Sequence, residues 1–199
     1  RASGGDYTSI LDLESANADL VTAGEAWVVD CYGDIEETSG IDWEGWNTSE
    51  ECYLYIRSVK VVDAATGNPT RGHRMNCAVQ CLDMGDIGAA GRIYFEGIYF
   101  GSNDISSCIE WGSTGNNNAI VTFINCTIHS YRDNGMGVYW SSATNRNLAR
   151  FINCLIVADN HAIHSSVLSN KKCDLIGCTL ISWRQQGWYN TSSGGWDVK

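Results

Sequence analysis

Proline, charged residues and long apolar runs are all scarce in this sequence. The 199 residues contain one proline, Pro69, and 18% of them are charged, whereas 44% are hydrophobic. This balance excludes an intrinsically disordered chain and a coiled coil, and the length suits one domain with a substantial core. No stretch of 18 apolar residues occurs, so we expect neither a membrane-spanning helix nor a membrane partner.

Basic residues are few as well. Thirteen Lys and Arg residues stand against 23 Asp and Glu residues, which gives a net charge of −10 and an isoelectric point near 4.7. The basic residues form no cluster, and binding to nucleic acid needs clustered positive charge, so no nucleic-acid partner is expected. The negative surface also disfavours anionic glycans, unless a local basic patch or a bound cation compensates.

Metal-binding cysteine motifs are missing. The nine cysteines include no C-x-x-C pair, and Cys77 and Cys81 have no His or Cys partners at zinc spacing. We therefore predict no metal site and no cofactor. Because nine is an odd number, at least one cysteine of a monomer has no disulfide partner.

Three segments of the chain repeat one pattern. They read FINCTI (residues 123–128), FINCLI (151–156) and LIGCTL (175–180), with offsets of 28 and 24 residues, and a looser copy occupies residues 95–100. A fixed period of this size indicates stacked units, and the alternation of apolar residues within each copy indicates strands. The sequence therefore predicts an all-β fold, a single-stranded right-handed parallel β-helix.

Residues at equivalent positions of the repeat are predicted to stack in the core. This predicted core ladder comprises Phe95, Phe123, Phe151, Leu175, Ile98, Cys126, Cys154 and Cys178. Side chains of adjacent parallel strands point the same way, which orients neighbouring cysteines poorly for a disulfide. We therefore predict a ladder of buried, reduced thiols, which is typical of chains that fold in a cytoplasm.

The two ends of the chain are predicted to close the stack. Residues 1–24 are expected to contain one short capping helix that begins near Thr8 or Ser9 and ends at Gly24. Residues 25–199 are expected to form the β-helix with an aromatic C-terminal cap, so that the chain is one domain overall.

The repeats resemble the pectate-lyase-like superfamily of parallel β-helices. The segments GGDYTSI (residues 4–10), DLV (19–21) and GWNT (45–48), with a strand ending in Cys31-Tyr32, are similar to β-helical structural proteins encoded by phages and prophages. The resemblance covers most of the chain. It implies a virion component, a decoration or spike on a capsid or tail, that is assembled in the host cytoplasm. The partners it implies are capsid or tail proteins, and further copies of the chain in a homo-oligomer.

Catalytic carboxylates on this fold would stack at one position of the repeat. Asp30, Glu96 and Asp174 do not share a position, and no other acidic set is evident in the repeats, so we predict that the chain is not an enzyme. The weak candidates for an acid–base or metal site, on neighbouring turns of the predicted helix, are His129, Arg132, Asp133, His161 and His164. Their alternative role is that of ordinary turn and surface residues.

A group of aromatic residues leaves two interpretations open. Its members are Trp111, Tyr139, Trp140, Trp188 and Trp196. If they face outward, they form a contact surface for a protein or a glycan, and if they face inward, they belong to the core or a cap. The alternative function is therefore a polysaccharide lyase, a glycoside hydrolase or a carbohydrate-binding module, which a groove with converging acidic or basic residues would favour.

Overall fold

The computed structural model of the chain describes residues 7–16, 19–32, 35–59, 72–85, 91–103, 107–111, 119–141, 148–165 and 172–190. Within these ranges, two short helices, α1 (Ile10–Glu14) and α2 (Leu20–Ala23), precede eighteen strands. The strands are β1 (Trp27–Cys31), β2 (Glu36–Glu37), β3 (Ile41–Trp43), β4 (Leu54–Ser58), β5 (Arg74–Cys77), β6 (Leu82–Met84), β7 (Arg92–Glu96), β8 (Tyr99–Ser102), β9 (Ser107–Trp111), β10 (Ile120–Ile124), β11 (Thr127–Ser130), β12 (Met136–Trp140), β13 (Leu148–Ile152), β14 (Leu155–Ala158), β15 (Ile163–Ser165), β16 (Lys172–Ile176), β17 (Thr179–Ser182) and β18 (Trp188–Asn190).

The strands form three parallel sheets of six strands each. Sheet A has the order β1-β4-β7-β10-β13-β16, sheet B the order β2-β5-β8-β11-β14-β17, and sheet C the order β3-β6-β9-β12-β15-β18. Three consecutive strands therefore contribute one strand to each sheet, and the next three lie directly on top of them. The predicted all-β parallel solenoid is confirmed, and side chains alternate between its interior and its outer faces.

The repeated phenylalanines lie in register inside sheet A. Phe123 on β10 is the partner of Phe95 on β7 and of Phe151 on β13, and Leu175 on β16 follows at the same position. The Phe123 ring stacks on the other two rings at centroid distances of 5.3 Å and 5.1 Å. The three phenylalanines are fully buried, whereas Leu175 is half-buried.

The corner between sheets A and B explains the Asn or Gly of the repeat. Gly97, Asn125, Asn153 and Gly177 have φ angles of 66°, 51°, 52° and 63°. Glycine and asparagine tolerate this left-handed conformation best, because a larger or branched side chain clashes there. The corner directs the following residue inward: Ile98, Cys126 and Cys154 are buried, and Cys178 is half-buried.

The N-terminal segment contains two helices where one was predicted. Ser9 accepts a hydrogen bond from the Asp12 N–H and begins α1, whereas Asp19 accepts one from the Thr22 N–H and begins α2. The prediction of one helix was wrong because Asp19 is itself a strong N-cap that starts a new helix. Gly24 ends α2 in the left-handed conformation, as expected.

Both helices pack onto the core. Ile10 and Leu13 of α1 and Leu20 of α2 are buried within the core cluster, and α1 contacts β3, the edge strand of sheet C. The Trp46 indole N–H donates a hydrogen bond of 3.1 Å to the carbonyl of Glu14. The helices are thus fixed to the first strands of the solenoid by apolar burial and by a directed polar contact.

Candidate functional site

His129, the first weak catalytic candidate, lies on the outer face of sheet B among aromatic residues. Its Nδ1 atom is 3.2 Å from the hydroxyl of Tyr99, and its ring centroid is 5.0 Å from that of Tyr131. Burial lowers the pKa of His129, so the imidazole is neutral at neutral pH. Arg132 follows in the exposed turn after β11.

His161 and His164 form a pair at sheet C. Their ring centroids are 5.0 Å apart, the His164 ring stacks on Tyr139, and its Nδ1 atom lies 2.8 Å from the sulfur of Met136. Burial, with a smaller contribution from His161, lowers the pKa of His164 to about 4. An imidazole with so low a pKa is a weak general base at neutral pH.

Asp133 lies in a surface ion pair. Arg184 donates to Asp133 through Nη2 and to Asp159 through Nε, both at 3.0 Å, and the Asn134 N–H donates to Asp159 at 2.7 Å. The five candidates are therefore distributed over two sheets and a turn, and His161 and His164 are in contact with each other. Among the residues that the structure describes, no three His, Cys, Asp or Glu side chains are grouped so as to hold a metal ion.

The aromatic group splits between the core and the surface. Trp111 and Trp140 are fully buried, and their rings stack at 4.9 Å, so the contact-surface interpretation is wrong for both. The reason is strand alternation, which turns Trp140 inward and its neighbour Tyr139 outward to a half-buried position. The Trp188 side chain and Trp196 lie outside the described residues.

Stacked carboxylates do occur on the outer face of sheet C, contrary to the expectation from the repeats. Asp42 on β3, Asp83 on β6 and Glu110 on β9 are partners in register, and Tyr139 and His164 continue the same column. Neighbouring strands are about 4.8 Å apart. This acidic column (Asp42, Asp83 and Glu110) escaped the sequence analysis because loops of different length separate its members along the chain.

A second expectation about carboxylates, that Asp30, Glu96 and Asp174 share no position, was wrong for two of the three. Asp30 and Glu96 share one position on the outer face of sheet A, with Arg57 between them on β4, while Asp174 lies in another column. Arg57 Nε donates to Asp30 at 2.5 Å. The arginine therefore separates the two carboxylates and pairs directly with one of them.

The outer face of sheet A also carries a cleft of about 360 Å³, which we call the tyrosine cleft. It is lined by Tyr53, Tyr55, Tyr94, Glu50 and Ile124. Tyr94 contacts the rings of Tyr53 and Tyr55 edge-on, at centroid distances of 5.6 Å and 5.5 Å. The three rings are half-buried, so that each is held in place and keeps part of its surface accessible.

One hydrogen bond fixes the polar side of the tyrosine cleft. The Tyr55 hydroxyl donates to Glu96 Oε2 at 2.5 Å. Burial, together with this carboxylate, raises the pKa of Tyr55 to about 12, so the phenol stays protonated. The cleft was missed because two of its tyrosines lie before the regular repeats, although the alternation Tyr53-Leu54-Tyr55 indicates two rings on one face of a strand.

Comparisons with protein-family models, with curated proteins and with solved structures find no match to this chain. Among the residues that the structure describes, neither helix has the length or the apolar composition needed to cross a bilayer.

Proposed function

We propose that the chain is a structural component of a phage particle, a β-helical decoration or spike on the capsid or tail. The observation that carries this proposal is the stack of three six-stranded sheets around one continuous core. Such a stack is a rigid body whose outer faces present side chains in fixed columns, which suits contacts with capsid or tail proteins and between copies of the chain. The virion setting comes from the resemblance of the repeats.

The contacts of the catalytic candidates support a structural role over a lyase or hydrolase. Arg184 holds Asp133, Tyr99 and Tyr131 surround His129, and Tyr139 and Met136 contact His164. Side chains that are held by ion pairs and ring contacts in this way are typical of structural positions on a protein surface. A hydrolase instead needs two carboxylates that face each other across an open cleft.

Three finer features belong to the same proposal. We infer right-handed winding, because crossovers between parallel strands are almost always right-handed. The two helices act as the N-terminal cap, which is supported by the contact of α1 with an edge strand. Cys126, Cys154 and Cys178 form a reduced thiol ladder, which is supported by their free thiols and by the backbone hydrogen bonds from Leu155 to Cys126 and from Thr179 to Cys154, which join successive turns at this position.

The localisation that we propose follows from the cysteines. All nine are free, and six of them are buried. Free thiols in such numbers suit a chain that folds in the reducing host cytoplasm before it enters a virion.

Immunogold electron microscopy of particles released by cells that encode the chain tests this function. We expect regularly spaced label on the capsid or tail, and the chain in the protein content of purified particles. Label that is confined to a particle-free fraction would overturn the proposal, as would cleavage of a polysaccharide by the purified chain.

A further inference from the structure

The tyrosine cleft combines features that structural packing alone does not require. Tyr53, Tyr55 and Tyr94 lie on the outside of sheet A, on or beside the adjacent strands β4 and β7. The inward-facing positions of these strands are occupied by Leu54, Ile56 and other apolar residues. We propose that this cleft binds a sugar unit of an uncharged glycan. The inference goes beyond the structural role and does not depend on the virion setting.

The size and shape of the cleft suit a sugar ring. A volume of about 360 Å³ lies near the lower end of the range for small-molecule sites. The cleft is open, so a unit within a longer chain can enter from the side. The two edge-on ring contacts at Tyr94 hold neighbouring rings at interplanar angles of 81° and 74°. Ring faces therefore meet the ligand from more than one direction.

The chemistry of the lining matches the two kinds of surface on a sugar. Aromatic rings with polar tips bind ligands that are apolar on one side and hydrogen-bonding on the other. The C–H face of a pyranose can pack on Tyr53 or Tyr94 and on Ile124. Its hydroxyls can donate to Glu50, which lines the cleft, and to the hydroxyl oxygen of Tyr55, whose own proton is donated to Glu96.

The charge of the site selects among glycans. Glu50 and Glu96 are both acidic, and the chain carries a net charge of −10. Arg57, the nearest cation in the column of Glu96, is bound to Asp30 at 2.5 Å. A carboxylate-bearing sugar would meet repulsion here, whereas a neutral sugar supplies hydroxyl donors to Glu50.

Saturation-transfer NMR with the full chain tests the proposal directly. The probes are cellobiose, maltose, lactose and N,N′-diacetylchitobiose, with digalacturonate as the anionic comparison. We expect at least one neutral disaccharide to bind, with an affinity on the order of 1 mM, and digalacturonate to bind more weakly than that disaccharide.

Three substitutions connect such binding to the cleft. Tyr94→Ala removes the central ring and is expected to weaken binding about tenfold. Tyr55→Phe keeps the ring, releases Glu96, and is expected to cause a smaller loss. Tyr131→Ala is the matched control, because Tyr131 is an exposed tyrosine beside a different sheet, and it is expected to leave binding unchanged.

Each outcome decides the question. Circular dichroism and melting curves verify the fold of every variant, and Tyr53→Ala replaces Tyr94→Ala if the latter does not fold. The proposal is overturned if none of the four neutral disaccharides binds at about 20 mM, well above the expected dissociation constant. It is equally overturned if digalacturonate binds more tightly than all of them, or if loss of a cleft tyrosine has no more effect than Tyr131→Ala.

Discussion

Glu37 and His73 form a buried polar contact at the start of the solenoid. The Nε2 atom of His73 lies 2.5 Å from Oε1 of Glu37, and the two residues are 2% and 8% exposed. The same carboxylate accepts hydrogen bonds from the N–H groups of Ile10, at 2.8 Å, and Leu11, at 3.4 Å. One side chain on β2 thus joins the first turn of α1 to the segment before β5.

We predict that Glu37→Gln lowers the free energy of unfolding by about 1–3 kcal/mol, because hydrogen bonds to a buried charge are lost. The amide has one acceptor oxygen where the carboxylate has two, and its NH₂ group faces donors. Urea denaturation at pH 7 measures the change. Reduced hydrogen-exchange protection in α1 would show that the contact fixes the helix.

Glu36→Gln is the matched control for this prediction. Glu36 is the preceding residue on the same strand, but its carboxylate is more exposed and pairs with Arg74 and Asn76 at the surface. We expect a change within about 0.5 kcal/mol. Equal losses for the two variants would contradict the role assigned to Glu37.

The regular half of the chain could be predicted because a single pattern governs it. Phe95, Phe123 and Phe151 have the same spacing to the corner residues Gly97, Asn125 and Asn153, so a shared register follows from the sequence. Each repeat then satisfies local turn chemistry and core packing together. Strand alternation also placed the phenylalanines on one face, and it is the same rule that buries Trp111 and Trp140.

The candidate sites could not be predicted, because both depend on register between segments of unequal length. Asp42 and Asp83 are partners across β3 and β6, although no repeat relates their positions in the sequence. Tyr55 and Tyr94 are partners across β4 and β7 in the same way. Periodicity assigns residues to a face within one strand, but only the loop lengths determine which residues of distant strands lie side by side.

The acidic column makes Asp42→Asn a stabilising substitution. Asp42 faces Asp83 in register, and the pKa of Glu14 is raised by burial and further by the charges of Asp42 and Glu44. Like charges on adjacent strands repel each other, so we expect a gain of a few tenths of a kcal/mol at low ionic strength. The gain should vanish in 1 M NaCl, where charges are screened over about 3 Å.

Asp174→Asn is the opposite control for that prediction. Arg150 donates to Asp174 at 3.0 Å, so removal of this carboxylate breaks an attraction and should lower stability. Thermal melts of both variants at low and high salt separate the two cases. A loss of stability in Asp42→Asn at low salt would show that the column is not repulsive.

His164 gives the stability of the protein a defined pH dependence. Its pKa is about 4 in the folded protein and about 6.5 in an unfolded chain. Between these values the unfolded state binds more protons, so the free energy of unfolding falls as the pH falls through this window. Below about pH 4 both states are protonated, and this contribution changes no further.

We predict that the free energy of unfolding that is lost between pH 7.5 and pH 5 is about 1 kcal/mol smaller in His164→Gln than in the wild type. This figure is discounted for the partial exposure of the ring. Urea denaturation of the wild type and the variant at both pH values gives the difference, in which the titrating groups that are not coupled to His164, and so not its neighbour His161, cancel. If both proteins lose the same free energy, protonation of His164 does not govern this window.

Thiol labelling tests the arrangement of the cysteines. Cys126, Cys154 and Cys173 are buried, which limits the access of a labelling reagent, and burial also raises the pKa of Cys173 well above its ordinary value, so that its thiol stays protonated. We expect these three to stay unlabelled in the native protein at pH 8 and to react upon unfolding. Cys52, which is half-exposed, is the internal reference and should react first. Native-state labelling of Cys154 as fast as that of Cys52 would contradict its burial.

The phenylalanine stack determines how firmly successive strands of sheet A hold each other. Phe123 contacts rings on both sides, at 5.3 Å and 5.1 Å, so Phe123→Ala leaves a cavity between two neighbours and should cost about 3–5 kcal/mol. Phe123→Leu fills most of that space and should cost less than about 2 kcal/mol. Ile124→Ala, on the outer face next to it, should cost less than Phe123→Ala because Ile124 is only half-buried.

Since each repeat of a solenoid is stabilised by its neighbours, Phe123→Ala should reduce hydrogen-exchange protection in β7, β10 and β13 more than in β1. A uniform loss across sheet A would instead mean that the whole stack unfolds as one cooperative unit.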